Sequence, residues 1–125
     1  MNVQSIGLVW IVVNDLKQAI QFYTQTMGLK LMEVHEQFGW AEFEGHSGGA
    51  RLGVAQMQPC SQEDVKPGQN AVMTFTVANL ESAIANMQTK GVKLLGEVQE
   101  VPGHVKMQTG VDTDGNRFQV VELLH

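Results

Sequence analysis

The sequence is poor in cysteine and in basic residues. Cys60 is the single cysteine among 125 residues, so no disulfide can form within the chain. Lys and Arg number 8 against 13 Asp and Glu, which leaves a net charge of −5 and no basic run. Because nucleic-acid backbones require clustered cations, we expect no nucleic-acid partner. The acidic balance favours a neutral or cationic ligand only weakly, and ordinary solubility explains it more simply.

Long apolar runs and familiar catalytic motifs are also absent. The apolar stretch at residues 6–13 is far too short to span a bilayer, and no signal-peptide pattern surrounds it. We therefore expect no membrane partner and a cytoplasmic location. The chain has no phosphate-binding glycine loop, no dinucleotide fingerprint and no Ser/His/Asp order. No residue adjacent to Cys60 would activate a thiol, so we interpret this cysteine as incidental.

The chain does contain an internal repeat. Residues 9–32 and 73–95 align with each other, so that Leu16 matches Leu80 and, after a one-residue slip, Gly28 matches Gly91. A self-match at this period predicts two copies of one supersecondary unit. Two such units can face each other and enclose a cavity.

Each copy contains one predicted helix. Asp15 and Asn79 are typical N-caps, and Gly28 and Gly91 are typical of the residue at which a helix stops. Between these signals, apolar residues recur at helical spacing and predict one face that packs on a sheet. These apolar residues are Leu16, Ala19, Ile20, Tyr23 and Met27 in the first copy, and Leu80, Ala83, Ile84 and Met87 in the second.

Each copy also contains four predicted strands, in the order strand–helix–strand–strand–strand. The strands are residues 6–13, 29–35, 40–44 and 51–56, and then 71–77, 92–98, 105–111 and 117–123. Asp114-Gly115 predicts a hairpin turn between the last two strands. We therefore predict a single domain of residues 1–125, with module 1 at about 1–56, a polar connection at 57–70 and module 2 at about 71–125.

Several short motifs occur in order along the chain: NDL at 14–16, AI at 19–20, FY at 22–23, GLKL at 28–31 and DTDGNRF at 112–118. Together they resemble the vicinal oxygen chelate superfamily, which includes glyoxalase I, extradiol dioxygenases, and fosfomycin- and bleomycin-resistance proteins. The resemblance covers essentially the whole chain and rests on the order and spacing of several short motifs. It implies an α+β fold of two βαβββ modules, with curved mixed sheets around a shared cavity and the helices outside. It also implies a homodimer.

The residues that bind metal in part of that superfamily are missing here. Its metal-dependent members carry four ligands, typically His and Glu, on the first and fourth strands of each module. By alignment with the motifs, these positions are Leu8, Gly53, Val72 and Gln119 in this chain. Leu, Gly and Val cannot coordinate a cation, and Gln offers only a neutral oxygen. We therefore predict no metal and no cofactor at the inherited site.

A different metal site is not indicated either, because the histidines show no ligand spacing along a strand or a helix. They are His35, His46, His104 and His125.

Strand alternation predicts which side chains line the cavity. If Leu8 faces inward, every second residue on its strand and on the equivalent strands does too. An apolar lining with one indole, two hydroxyls and one amide suits a small organic ligand. The predicted substrate-binding residues are Leu8, Trp10, Gly53, Val72, Thr74, Thr76 and Gln119. Arg51, Ala55, Arg117 and Val121 share their face, whereas Phe118 and Val120 face the helix layer.

Two pairs of side chains have alternative interpretations. Trp10 and Trp40 can sandwich a planar or cationic ligand, or they can fill the core or a dimer seam. Glu42 and Glu44 can face a ligand, but we favour the solvated face of a strand for both.

Three functions remain open. The leading hypothesis is metal-independent binding of a small organic molecule. The second is a glyoxalase- or dioxygenase-like lyase or isomerase that uses non-standard residues, with His35, Glu42 or His104 as acid–base groups and Gln119 polarising the substrate. The third is an interaction module whose cavity is filled by side chains. The identity of any catalytic residue is left open.

Overall fold

The computed structural model describes residues 1–2, 4, 6–57, 66–68 and 71–124. The predicted connection lies largely outside these residues, as do Cys60 and His125. The chain divides into two compact units, Met1–Ala71 and Val72–His125.

The first unit is a four-stranded mixed sheet with one helix. Its strand order is β1-β4-β3-β2, with β1 parallel to β4 and the other pairs antiparallel. A π-helical turn, Phe22–Thr26, extends the helix, and a 3₁₀ turn, Glu36–Phe38, connects β2 to β3. The elements are β1 (Leu8–Val13), α1 (Leu16–Gln21), β2 (Lys30–His35), β3 (Trp40–Gly45) and β4 (Gly48–Gln56).

The second unit repeats this arrangement. Its strand order is β5-β8-β7-β6, again with one parallel pair, β5 with β8. The predicted α+β fold of two repeated βαβββ modules is therefore confirmed. The elements are β5 (Val72–Thr76), α2 (Leu80–Thr89), β6 (Lys93–Val101), β7 (Val105–Val111) and β8 (Arg117–Leu123).

Both helices begin at the predicted caps. The Asp15 carboxylate accepts a hydrogen bond from the Gln18 amide at 3.0 Å, and the Asn79 side chain accepts one from Ser82 at 2.8 Å. Gly91 follows α2 with φ of 75°, the left-handed conformation that glycine adopts without strain.

The last strand of each unit also holds the start of its helix, which the sequence analysis missed. The Leu16 amide donates to Gln56 Oε1 at 2.8 Å, and the Leu80 amide donates to Glu122 Oε1 at 2.7 Å. These bonds satisfy a helical N–H group that has no partner inside the helix. Because they join residues about 40 positions apart, no local pattern announces them.

The first helix differs from the prediction at its end. The spacing predicts one regular helix through Met27, but the α-helix ends at Gln21 and a π-helical turn follows. The Met27 amide accordingly donates to the Phe22 carbonyl, five residues back, at 3.0 Å. In this wider turn Phe22 and Tyr23, which are adjacent in sequence, are both buried. Their ring centroids lie 5.0 Å apart in an edge-to-face arrangement.

Each unit buries the sheet face that contacts its own helix. In the first unit Ile11, Val13 and Phe43 are fully buried there. The ring centroids of Tyr23 and Phe43 lie 5.8 Å apart. In the second unit Phe118 and Val120 are buried beside α2, as the sequence predicts. The opposite face of each sheet is therefore the one left to carry a site. No helix in the described part of the chain is long and apolar enough to cross a bilayer.

Candidate functional site

The candidate site lies on the face of the first sheet that points away from α1. Residues paired directly across neighbouring strands share a face. One row across this face is Trp10, Gly53, Glu42 and Glu33, and the next row includes Trp40 and His35. We call this surface the first-sheet face, formed by Trp10, Glu33, His35, Trp40, Glu42, Glu44, Arg51 and Gly53.

An arginine at the centre of the first-sheet face holds three carboxylates. Arg51 Nη1 donates to Glu33 at 2.6 Å and to Glu42 at 2.9 Å, and Nε donates to Glu44 at 3.0 Å. His35 Nε2 lies 3.1 Å from the other Glu33 oxygen. Because three carboxylates surround one guanidinium, the network has a net negative charge when His35 is neutral.

These contacts favour the charged forms of Glu33 and Arg51. The hydrogen bond with His35, and then the one from Arg51, hold the pKa of Glu33 below its ordinary value. The bonds to Glu42, Glu44 and Glu33 raise the pKa of Arg51 further above its already high value. Arg51 therefore stays charged over the whole physiological range. Glu33 is a poor proton donor at neutral pH, which argues against a role as general acid.

The two indoles on this face contact each other. The ring centroids of Trp10 and Trp40 lie 6.2 Å apart, with an angle of 60° between the ring planes. In this edge-to-face arrangement no slot separates two parallel rings. The indoles therefore do not form the sandwich considered from the sequence, and any ligand must contact the pair from outside.

Glu42 and Gly53 hold the Trp40 indole at its two ends. Trp40 Nε1 donates to Glu42 Oε2 at 2.9 Å. The far edge of the indole lies over Gly53, where an added Cβ would be 2.6 Å from Trp40 Cη2 and 3.0 Å from Trp10 Cβ. Real Cβ atoms do not approach other atoms as closely as 2.6 Å, so the present position of Trp40 requires glycine at residue 53.

The favoured interpretation of Glu42 and Glu44 is wrong. Their side chains are only 15% and 24% exposed, and both are bonded to Arg51 instead of lying on a solvated face. Alternation along β3 predicts only that Glu42 and Glu44 share a face. The missing information was the pairing of β3 with β4, which puts that face beside Arg51.

The remaining predicted site residues lie in the second unit, on one face of its sheet. Thr74 pairs with Gln119 across β5 and β8, and Gln119 pairs in turn with Thr109 on β7. Val72 is 59% exposed and Thr76 lies on the same face of β5. The structure thus brings Leu8, Trp10 and Gly53 together on one sheet, and Val72, Thr74, Thr76 and Gln119 together on the other. Thr109 is a neighbour that the sequence analysis did not name.

The predicted acid–base candidates are only partly brought together. His35 and Glu42 share the first-sheet face, with Glu33 bonded to His35 and Arg51 bridging Glu33 and Glu42. His104 and Gln119 lie in the second unit, His104 in the turn between β6 and β7 and Gln119 on β8. Glu42 is occupied by Arg51 and Trp40, so His35 is the better candidate for proton transfer on this face.

The comparison with known proteins settles the family. A sequence model described as the Glyoxalase/Bleomycin resistance protein/Dioxygenase superfamily matches residues 5–120. The chain belongs to this superfamily. The resemblance inferred from the short motifs is thereby confirmed. A search of curated proteins finds no match.

Several solved structures share the fold at low sequence identity. A member from Sphaerobacter thermophilus DSM 20745 superposes with a TM-score of 0.83 at 18% identity, over 96% of this chain and 98% of that one. TnmS3, described as an antibiotic binding protein from Streptomyces sp. CB03234, gives 0.82 at 20% identity, over 98% of each chain. A glyoxalase/bleomycin resistance protein from the same organism gives 0.76 at 21% identity, over 93% of this chain and 98% of that one.

The residues that the sequence motifs align with the superfamily's metal positions do not supply the ligands that a divalent ion needs. Leu8, Val72 and Gln119 supply at most one neutral oxygen, and Trp40 fills the space that a ligating side chain at residue 53 would need. In the described ranges, no group of three or more His, Cys, Asp and Glu residues is arranged to hold a metal. We therefore assign no step to a metal ion at this site.

Arg51→Gln is expected to destabilise the protein at neutral pH, because three carboxylates are left facing one another without a guanidinium. The deficit relative to wild type should shrink on acidification as Glu33 protonates. For Glu33 the sign is fixed by its lowered pKa: its stabilising contribution is present above the ordinary carboxyl pKa and is lost as pH falls through the lowered value. Urea unfolding at a series of pH values measures both effects.

The matched control for this prediction is Arg117→Gln, which removes an exposed arginine at the start of β8. It should change stability little at any pH. A deficit in Arg51→Gln that is the same at acid and neutral pH would contradict the charge network as its cause.

Proposed function

We propose that this chain binds a small organic molecule on the first-sheet face, without a metal ion. The observation that carries the proposal is the Trp40 indole lying over Gly53 against Trp10. The Trp40 indole fills the space over residue 53, which the sequence motifs align with a ligand position of metal-dependent relatives. Indoles offer a large apolar contact area with little loss of side-chain freedom, which suits the recognition of an aromatic compound.

The charge of the first-sheet face limits which polar groups a ligand can carry. Carboxylates that already accept bonds from Arg51 keep further lone pairs for N–H, O–H or cationic groups of a ligand. The net negative charge disfavours a ligand whose main polar group is a carboxylate or phosphate. We therefore expect an aromatic compound with hydrogen-bond donors or a positive charge.

The fold relatives support this proposal at the level of precedent. TnmS3 is described as an antibiotic binding protein, so this fold is used elsewhere to bind an organic molecule. At 20% identity this likeness concerns the fold and leaves the ligand of this chain to experiment. A homodimer, which the family resemblance implies, and a cytoplasmic location are part of the same proposal, and sedimentation equilibrium would test the dimer.

A thermal-shift screen tests the proposal. The panel contains divalent metals, aromatic and cationic antibiotics, thiol conjugates and aromatic metabolites. A ligand at 100 times its dissociation constant should add about 2.7 kcal/mol of stability and raise Tm by several degrees. We expect shifts with aromatic compounds in the presence of a chelator. Shifts with divalent metals alone would contradict the proposal, and no shift at all would favour an interaction module.

A metal-independent enzyme is the second candidate, favoured by the 3.1 Å contact between His35 and Glu33. A carboxylate that orients an imidazole is a common arrangement for general-base catalysis. Every compound that stabilises the protein should therefore be assayed for turnover. Turnover that survives His35→Gln would exclude this histidine as the base, whereas its loss together with a change in the pH–rate profile would support the enzyme.

A further inference from the structure

We propose that Gly53 is the specificity-determining position of the first-sheet face, and that Arg51, acting through Glu42, is the residue that positions the Trp40 indole. The absence of a side chain at residue 53 lets the indole lie across β4 against Trp10. This inference deepens the proposed function and rests on it for its consequence in binding. The position of the Trp40 indole can be tested without any ligand.

The backbone conformation does not explain the glycine at residue 53. Nine glycines in the described chain have positive φ, and Gly53 is not among them. It lies within the regular ladder of β4, paired with Trp10 on one side and Glu42 on the other. Any residue can adopt that strand conformation. The demand for glycine therefore comes from the indole above it, which would lie 2.6 Å from a Cβ.

The Trp40 indole is fixed at both ends by different elements. At one end its Nε1 donates to Glu42 Oε2 at 2.9 Å, and at the other end its Cη2 and Cζ2 atoms rest on β4 at Gly53. The second oxygen of the same carboxylate, Glu42 Oε1, accepts from Arg51 Nη1 at 2.9 Å. Arg51 thus fixes the carboxylate that fixes the indole, which makes it a positioning residue without requiring contact with a ligand.

A side chain at residue 53 would change the surface that a ligand meets. A methyl group there forces the Trp40 ring off β4, which breaks the edge-to-face contact with Trp10 and strains the bond to Glu42. The face would then present separate indoles and a covered strand in place of the joined pair. Because the φ of residue 53 is not positive, alanine adds no backbone strain there, and its methyl group acts on the Trp40 ring and on Trp10 Cβ, which would lie 3.0 Å away.

Circular dichroism tests the positioning directly. Two indoles this close couple their electronic transitions and give paired bands of opposite sign. Gly53→Ala should weaken these bands strongly, because the coupling falls with distance and depends on the angle between the rings. Glu42→Val should weaken them strongly, whereas Glu42→Gln, which keeps an oxygen acceptor for Trp40 Nε1 but turns an amide N–H group toward Arg51, should give bands between those of wild type and Glu42→Val. Arg51→Met should weaken them while leaving Glu42 in place. Paired bands of wild-type amplitude in Gly53→Ala would overturn the inference.

The matched control is Gly110→Ala in the second unit. Gly110 is also a strand glycine without positive φ, and an added Cβ there would lie 2.7 Å from the Phe118 ring. It therefore displaces an aromatic ring without touching either tryptophan. We expect it to lower Tm and to leave the paired bands unchanged. Bands that weaken as much in Gly110→Ala as in Gly53→Ala would show a general loss of packing and would overturn the inference.

A titration with proflavine, a planar aromatic cation, tests the consequence for binding. We expect wild type to bind it and Gly53→Ala to bind it at least about tenfold more weakly, which is ~1.4 kcal/mol. Equal affinity in the two proteins would overturn the specificity role of Gly53. If wild type does not bind proflavine, the proposed function fails for aromatic cations, while the circular dichroism result still decides the positioning of Trp40.

Discussion

Replacing Phe43 with alanine is expected to lower the free energy of unfolding by about 3–5 kcal/mol, because the change removes a large buried ring and leaves a cavity. Phe43 has no exposed surface, and its ring centroid lies 5.8 Å from that of Tyr23 in the π-helical turn. Its neighbour Glu42 points to the opposite face of β3. The variant should therefore destabilise the protein while the fraction that remains folded keeps the first-sheet face. Urea unfolding measures the loss.

Leu31→Ala is the control for this prediction. Leu31 pairs with Phe43 across β2 and β3 but is 40% exposed, so its truncation should cost much less. A loss below about 1 kcal/mol in Phe43→Ala, within the range of ordinary surface changes, would contradict the assignment of Phe43 to the core.

Asp112→Ala is expected to cost about 3 kcal/mol, since a charged acceptor is removed and each buried donor left behind costs ~1–3 kcal/mol. Asp112 Oδ1 accepts from the amides of Asp114 and Asn116 at 2.9 Å and 2.8 Å, and Oδ2 accepts from Asn116 Nδ2 at 3.0 Å. Asn116 is only 1% exposed, so water cannot replace the lost bonds without a rearrangement. Thermal and urea unfolding measure the effect.

Two further variants test how much the side chains of the turn between β7 and β8 contribute to stability. Asp112→Asn keeps one acceptor oxygen and should fall between wild type and alanine. Thr113→Ala removes an exposed side chain in the same turn and should be nearly neutral. If Asp112→Ala behaved like Thr113→Ala, the hydrogen bonds of Asp112 would not be what holds this turn.

The parts of the fold that the sequence predicts well are those set by neighbouring residues. The caps Asp15 and Asn79 lie three residues from the amides that they accept, so the pattern contains all the needed information. The turn at Asp114-Gly115 is local in the same sense, and Gly115 has the left-handed φ of 84° that the turn requires. The π-helical turn was missed because the apolar spacing from Leu16 to Met27 fits a regular α-helix equally well and contains no signal for a wider turn at Phe22.

The site is harder to predict because it depends on how distant strands pair. Alternation with a period of two correctly grouped Trp10 with Gly53, and Thr74 with Gln119, on shared faces. It gave no register between β3 and β4, where an irregularity near Gly45 breaks the ladder. The contacts of Arg51 with its carboxylates depend on that register.

The Trp40 indole shows the same limit in a single side chain. Its position over Gly53 needs the ring to cross from β3 to β4, and sequence spacing does not specify a rotamer. A glycine inside a strand pattern was nevertheless a usable signal, since such a glycine often marks the close approach of another group. At residue 53 that group is an indole.

Isothermal titration calorimetry of one aromatic hit from the screen, with a chelator present, tests the central claim most directly. Wild type is compared with Trp10→Ala and with Val9→Ala, an exposed β1 neighbour on the opposite face. We predict that wild type and Val9→Ala bind equally well without metal, and that Trp10→Ala binds at least about tenfold more weakly, ~1.4 kcal/mol. Binding that needs a divalent ion, or that is unchanged in Trp10→Ala, would contradict metal-independent recognition on the first-sheet face.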